Sequence, residues 1–297
     1  MINYNYRIEE VYLEDDDTNT KVNKLLSEVF YLGLPNNKLR LNTTSKNENK
    51  SLYLAAIENN EIIGFNAFIS HTLVLNNELI NCYQSCWTAT SKKHRGKQIF
   101  QNLIEEAKKI LLSRNAGFIF GFPNANSFPI FINKLDFKVF PFQKLRIPNI
   151  RLLKNLFFNN KNIQISKLNK DSILQKNEEL IKLKKVEYGE NIIKIDNSNG
   201  FIWGTIRTKL FKGFKLSFFE LGGIEVENSN DVMLLINKLC KEHHFNYLEL
   251  GTVINNSYNS IFKTLKVKSK RGLIIFDLKI DTTSYNFNFF RGVADVY

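Results

Sequence analysis

The residues in this chain best suited to chemistry sit together in the segment Ser91-Lys92-Lys93-His94-Arg95-Gly96-Lys97-Gln98. Cations and a histidine surround one glycine, and an apolar stripe follows directly. In it Ile99, Phe100, Leu103, Ile104, Ala107, Ile110 and Leu111 recur at three- and four-residue steps, the spacing of a helix with one packed face. The first amides of a helix lack intrahelical acceptors, and the macrodipole adds positive potential there. A basic, glycine-containing turn that feeds such a terminus can hold phosphate. We read Lys92, Lys93, His94, Arg95 and Lys97 in that way, in preference to a merely solvated basic turn.

Other groups with chemical potential are scattered. His71 titrates in the range useful to a general base, although a lone histidine on a strand is more often structural. Tyr83 and Glu78 stand near it in sequence. Cys240-Lys241-Glu242-His243-His244 has metal-binding residue types but lacks a second ligand pair, and the end of an amphipathic helix commonly gathers such cations. No metal is expected. Cys82 and Cys86, four apart on a strand, read as small core residues.

The elements that must position these groups follow from patterning. Residues 6–13 read as a strand, and Asp15-Asp16-Asp17-Thr18 opens a helix carrying Val22, Leu25, Leu26, Val29 and Phe30, stopped at Pro35-Asn36-Asn37. Residues 42–50 are polar and read as a mobile loop. Strands 51–57, 61–73 and 80–90 are joined by the hairpin signals Glu58-Asn59-Asn60 and Leu75-Asn76-Asn77-Glu78. After the basic turn and its helix come a strand at 118–122, a helix at 124–135 and a strand at 137–142. Three antiparallel strands followed by helix, strand, helix predict an α+β or mixed α/β layer.

Periodicity fades over residues 144–162, which places a domain boundary near 150, giving domains 1–150 and 151–297. The second half is read as a strand at 163–168, a helix carrying Ile173, Leu174, Leu180, Ile181 and Leu183, and a strand at 192–195. An amphipathic stretch at 203–211 follows, then a strand at 214–221, a Gly222-Gly223 turn or bulge, and a helix with Val232, Leu235, Ile236 and Leu239. A strand at 247–250, a helix at 255–265 and a strand at 272–280 close it. Phe118-Ile119-Phe120-Gly121-Phe122-Pro123-Asn124 has an imperfect echo in Tyr247-Leu248-Glu249-Leu250-Gly251 and Asn255-Asn256-Ser257. Each follows an amphipathic helix, which predicts an internal duplication.

The 297 residues carry a formal net charge of +12, with 43% hydrophobic and 13% aromatic content and three cysteines. An odd, small cysteine count fits a reducing compartment rather than a disulfide framework. The N-terminus has no basic-then-apolar leader pattern and no apolar run reaches membrane-spanning length, so a cytoplasmic protein is expected. Lysines are spread along the chain and are read as forming no aromatic-studded basic block, which argues against a nucleic-acid partner.

The unit strand–Arg95-Gly96-Lys97–helix, then strand–Asn124–helix ending in Leu135-Asp136-Phe137, resembles the GNAT superfamily of acyl-CoA-dependent N-acyltransferases. The resemblance implies a central mixed sheet flanked by helices, with acetyl-CoA as co-substrate. Thr88, Ala89 and Thr90 would meet the pantetheine and thioester. Arg95, Gly96, Lys97, Gln98, Ile99 and Phe100 would wrap the pyrophosphate, and Asn124 would open the following helix. Gln98 stands where the family has its first glycine, tolerable if its φ is helical, and Phe100 stands where glycine or alanine is usual. The Phe122–Ser127 turn and the closing Gly292-Val293-Ala294-Asp295-Val296-Tyr297 look similar to a two-domain branch associated with bacterial surface-polysaccharide synthesis. That implies a small-molecule amine acceptor, such as a nucleotide-linked amino sugar, with a degenerate second GNAT-like domain shaping its site.

By registration to the family, Gln84 falls where a general-base glutamate is common and Phe131 where a tyrosine acid is common. Neither transfers a proton usefully, so Gln84 and His71 are carried as the catalytic candidates, with a water chain ordered by Gln84 and Asn124 as another route. Two other functions stay open. One is a Fem-like transferase using aminoacyl-tRNA, slightly favoured by charge and opposed by the Arg95-Gly96-Lys97 turn. The other is a CoA-binding scaffold without turnover.

Overall fold

The computed structural model describes residues 5–30, 50–149, 158, 162–169, 171–186, 191–253, 256–262 and 266–290. The stop at 35–37, all of the polar loop but Lys50, and the closing 292–297 lie outside these residues. In chain order the elements are β1 (Arg7–Glu10), α1 (Asp16–Phe30), β2 (Leu52–Glu58), β3 (Glu61–Leu75), β4 (Glu78–Thr90), α2 (Ile99–Ser113), β5 (Phe118–Gly121), α3 (Phe128–Lys134) and β6 (Lys138–Pro148). There follow α4 (Ile165–Leu168), β7 (Ser172–Gln175), α5 (Asn177–Val186), β8 (Ile193–Asn197), β9 (Gly200–Phe211), β10 (Phe214–Val226), α6 (Ser229–Glu242), β11 (Tyr247–Val253), β12 (Lys266–Asp277) and β13 (Asn286–Asn288). The fold is mixed α/β, and contacts divide the chain into two units, residues 1–72, 80–139 and 274–282, and residues 73–79, 140–273 and 283–297.

In the first unit the strands run β1-β2-β3-β4-β5, closed by the last residues of β12. β1 pairs antiparallel with β2, and β2–β3 and β3–β4 are hairpins made possible by Asn59-Asn60 (φ 50° and 62°) and Asn76-Asn77 (φ 50° and 66°). Asparagine tolerates positive φ at the tight turns that match strand twist. The link from β4 to β5 is parallel, with α2 as its crossover. One face of this sheet packs on α1 through Val22, Leu25 and Leu26 against Tyr53, Phe65 and Trp87. The other packs on α2 through Ile99, Leu103, Ala107 and Leu111 against Leu54, Phe68, Tyr83 and Ile119.

The second unit repeats this order. The antiparallel β9–β10 hairpin leads to α6, then to β11 parallel with β10, then to a 3-10 turn at Ser257–Ile261. Strand β6 flanks β11, and β8 flanks β9. Val232, Leu235, Ile236 and Leu239 of α6 pack on Leu145, Ile147, Phe219, Leu221, Leu248 and Leu250. The register of β10 against β9 shifts between Leu221 and Gly223, so the glycine pair forms a bulge within a strand.

Several expectations are corrected. Residues 144–148 continue β6, because Leu145 and Ile147 enter the core while Lys144 and Arg146 pair with Glu249 on the other face. The alternation was there, with cations on one side of it. Burial pushes the Glu249 carboxyl up, but hydrogen bonds from Lys144 and Arg146 outweigh it and hold the group below its ordinary range. The strand expected at 163–168 is the short helix α4, closed by the Asn169 amide on the Ile165 carbonyl (3.0 Å). The helix expected from Ile173 is split into β7 and α5, and the amphipathic stretch at 203–211 is part of β9. The helix expected at 255–265 is, within residues 256–262, only the 3-10 turn.

Candidate functional site

Strands β4 and β5 are paired only at Tyr83↔Ile119, Gln84↔Phe120 and Ser85↔Gly121. Beyond Gly121 the chain turns away through Phe122-Pro123-Asn124, while β4 runs on to Thr90. The parallel pair therefore opens into a fork at the carboxyl ends of its strands, where α/β sheets bind ligands. The backbone of Thr88, Ala89 and Thr90 extends past this fork on the β4 side.

A kink in β4 shapes the fork. Trp87 takes φ 54° inside the strand, and adjacent Cys86 and Trp87 both pack in the α1-side core. In a regular strand successive side chains alternate, so two neighbours on one face mark a bulge. The kink brings Ser85 and Thr88, three residues apart, to one partner. Thr88 Oγ1 donates to Asn66 Oδ1 (3.0 Å), and Asn66 Nδ2 donates to Ser85 Oγ (3.3 Å). Asn66 is fully buried on β3. Its amide holds both sides of the bulge, a role the sequence signalled only by a polar residue inside an apolar strand.

The basic turn follows at once. The Ser91 amide donates to Ile63 O (2.9 Å) and the His94 amide to Ser91 O (2.9 Å), closing a 3-10 turn over Lys92–His94. His94 does not join the cationic surface. Its Nε2 lies 3.0 Å from Glu58 Oε2 and its Nδ1 3.3 Å from Ser91 Oγ, which pins the turn to the β2–β3 hairpin. Lys93, Arg95 and Lys97 are exposed. Gly96 has φ 81° and open space where a Cβ would sit.

Gln98 is the N-cap of α2, at φ 59° and ψ 14°, without a side-chain capping bond. The expected helical φ is thus replaced by the left-handed conformation that glycine adopts without strain. Between Gly96 and Gln98 the backbone curls so that the amides opening α2, a fifteen-residue helix with no acid in its first turn, face outward from its start. The helix start is seated closely. A Cβ on Gly64 of β3 would lie 2.3 Å from Ile99 Cγ2.

Phe100 packs edge-on against Phe131 (5.1 Å between centroids), and Phe131 against Phe137 (4.8 Å). Both positions thus serve the core between α2 and α3. Asn124 does not open α3, which begins at Phe128. It caps the approach instead, its Oδ1 accepting from the amides of Asn126 (2.9 Å) and Ser127 (3.0 Å), at the mouth of the fork. Gln84 is buried in register with Phe120, and the His71 ring meets the edge of the Phe120 ring at 5.4 Å. The fold thus brings Gln84 and His71 to one aromatic neighbour. Cys82 is fully buried, and burial pushes its thiol up, which suits a core residue and not a nucleophile. Among the described residues no three His, Cys, Asp or Glu side chains gather as a metal site.

The equivalent fork of the second unit is occupied by the protein itself. The pairing of β10 with β11 ends at Leu221↔Leu250. Just beyond, Gly222 O accepts from Gln175 Nε2 (3.0 Å) and Ile224 O from Asn177 Nδ2 (3.2 Å), while Trp203 Nε1 donates to Asn177 Oδ1 (2.8 Å). A Cβ on Gly223 would fall 2.0 Å from Asn177 Oδ1. Backbone acceptors there already have internal donors.

Residues 12–139 match the family profile of the acetyltransferase (GNAT) domain. No curated protein matches the chain in sequence. Among solved structures, a GCN5-related N-acetyltransferase from Anabaena variabilis ATCC 29413 superposes with a TM-score of 0.63 at 7% identity, covering 92% of this chain and 73% of that one. A conserved protein of unknown function from Enterococcus faecalis V583 gives 0.61 at 8% identity, covering 93% and 74%. Eis1 from Mycobacterium abscessus gives 0.59 at 10%, covering 92% and 73%. These likenesses extend the fold over nearly the whole chain, and the profile match, over residues 12–139, lies on the first unit. The protein is an acyltransferase.

Proposed function

We propose that the protein transfers the acetyl group of acetyl-CoA to a primary amine, with the acyl-CoA bound in the first unit. The observation that carries this reading is the meeting of an open β4–β5 fork with the start of α2, reached through two positive-φ residues, Gly96 and Gln98. In it the α2 amides from Ile99 onward, with Arg95 and Lys97, hold the pyrophosphate. The backbone of Thr88, Ala89 and Thr90 orients the pantetheine along β4, and Asn124 stands at the mouth. Acetyl-CoA supplies an activated acyl group as a thioester. Holding it still beside the amine removes much of the entropic barrier. His71 accepts the proton that the amine gives up, and Gln84 positions the group by hydrogen bonding. The acceptor is a nucleotide-linked amino sugar, a choice that rests on the likeness of the Phe122–Ser127 turn.

The test is release of free thiol from acetyl-CoA with a panel of nucleotide-linked amino sugars, free amino sugars, amino acids and peptide amines. The expected result is amine-dependent release, strongest with the nucleotide-linked sugars. His71→Asn should lower kcat by about 10²-fold with the KM for acetyl-CoA unchanged. CoA binding without release across the panel would turn the reading to a scaffold. Salt-sensitive tRNA binding without CoA binding would turn it to aminoacyl transfer.

A further inference from the structure

The β9–β10 hairpin ends in large apolar side chains that the fold leaves in water. Leu210 is 78% exposed, Phe211 56% and Phe214 75%. The connecting residues Lys212 (φ 47°) and Gly213 (φ 84°) make a tight two-residue tip. Lysines 209, 212 and 215 interleave with the apolar residues, and no acidic residue occurs between Asp196 and Glu220. A single exposed leucine needs no explanation, but a cluster of this kind on a protruding tip does.

The hairpin register orders these groups in rungs. Phe211 and Phe214 face each other at the tip, Lys209 and Leu216 form the next same-face rung, and Arg207 and Phe218 the one after. Phe218 stacks on Tyr247 (5.3 Å, 7° between planes), and the Lys209 ammonium lies 5.4 Å and 5.1 Å from the two rings. On this face, inward of the Lys212-Gly213 turn, the order is apolar, then cationic and aromatic, while Leu210 and Lys215 pair on the opposite face between the first two rungs. At about 3.3 Å of rise per residue the first rung clears the second by about 7 Å, matching the depth of roughly 5–10 Å at which interfacial apolar groups sit below lipid headgroups.

We infer that the β9–β10 tip docks on an anionic lipid surface, with Leu210, Phe211 and Phe214 entering the headgroup–acyl boundary and Lys209, Lys212 and Lys215 meeting the lipid charges. Lysine stems lie along apolar surface while their ammonium groups stay at headgroup level. A nucleic acid fits less well. Phe211 and Phe214 carry exposed rings but are paired with each other across the tip, Leu210 offers no ring for stacking, and Phe218 and Tyr247 already stack on each other.

The experiment is co-sedimentation of the full chain with vesicles of phosphatidylcholine alone and of phosphatidylcholine with about one-third phosphatidylglycerol. Binding is expected only to the anionic vesicles and should fall with salt. L210S/F211S/F214S should reduce it by at least tenfold at unchanged thermal stability and unchanged thiol release in solution. The pair Lys212→Ala and Lys215→Ala should each cost about fivefold. No binding to anionic vesicles, or binding that the triple substitution leaves intact, overturns the inference. So does a finding that the same residues instead drive self-association or RNA binding.

Discussion

A glutamine held at φ 59° and ψ 14° carries a cost that glycine would not. Left-handed backbone is disfavoured by about 1–2 kcal/mol for a residue with a Cβ, and glycine gives back part of that through its freer unfolded chain. Gln98→Gly is therefore expected to raise unfolding free energy by up to about 1 kcal/mol, measured by denaturant titration, while CoA binding persists because the amides stay in place. A loss of stability of that size would mean that the Gln98 side chain supports the turn. At this scale residue types were legible and their partners were not. The spacing singled out Arg95, Gly96 and Lys97, yet nothing in it showed that His94 is pinned by Glu58. Phe131 read as a missing acid, and its contacts with Phe100 and Phe137 show what it does instead.

Among elements, β4 matters most, because its bulge sets where the fork opens. Asn66 bonds residues on both sides of Trp87 from a fully buried position. Removing its amide leaves the buried Ser85 and part-buried Thr88 hydroxyls without that partner, at a cost of about 1–3 kcal/mol. Asn66→Ala should lower stability by that order and raise the KM for acetyl-CoA more than it lowers kcat, the reverse of the pattern expected for His71→Asn. Equal loss in both variants would show that Asn66 supports only the fold. The β2–β3 and β3–β4 hairpins and the helices α1, α2 and α6 were readable in advance because Asn-Asn turns and three-to-four spacing are local signals. The bulge at Trp87 was not, since positive φ at a tryptophan reflects packing between α1 and β3 and leaves no local mark. Residues 144–148 were missed for a related reason, their alternation being written in cations that pair with Glu249.

For the whole molecule, the chain contains one order of elements twice, with different ends to the two forks. The repeat was visible as a weak echo of residues 118–124 in 247–251. That the second fork is filled by Gln175 and Asn177 depends on β7 and α5, which lie far from it in sequence, and so was not. The two forks together predict a single CoA per chain, bound at the turn that follows β4. Isothermal titration of CoA into the wild-type protein and into the Arg95→Ala plus Lys97→Ala variant tests this most directly. One site per chain is expected, weakened at least tenfold in the variant. Two sites per chain, no heat at millimolar CoA, or binding untouched by the two substitutions would contradict it.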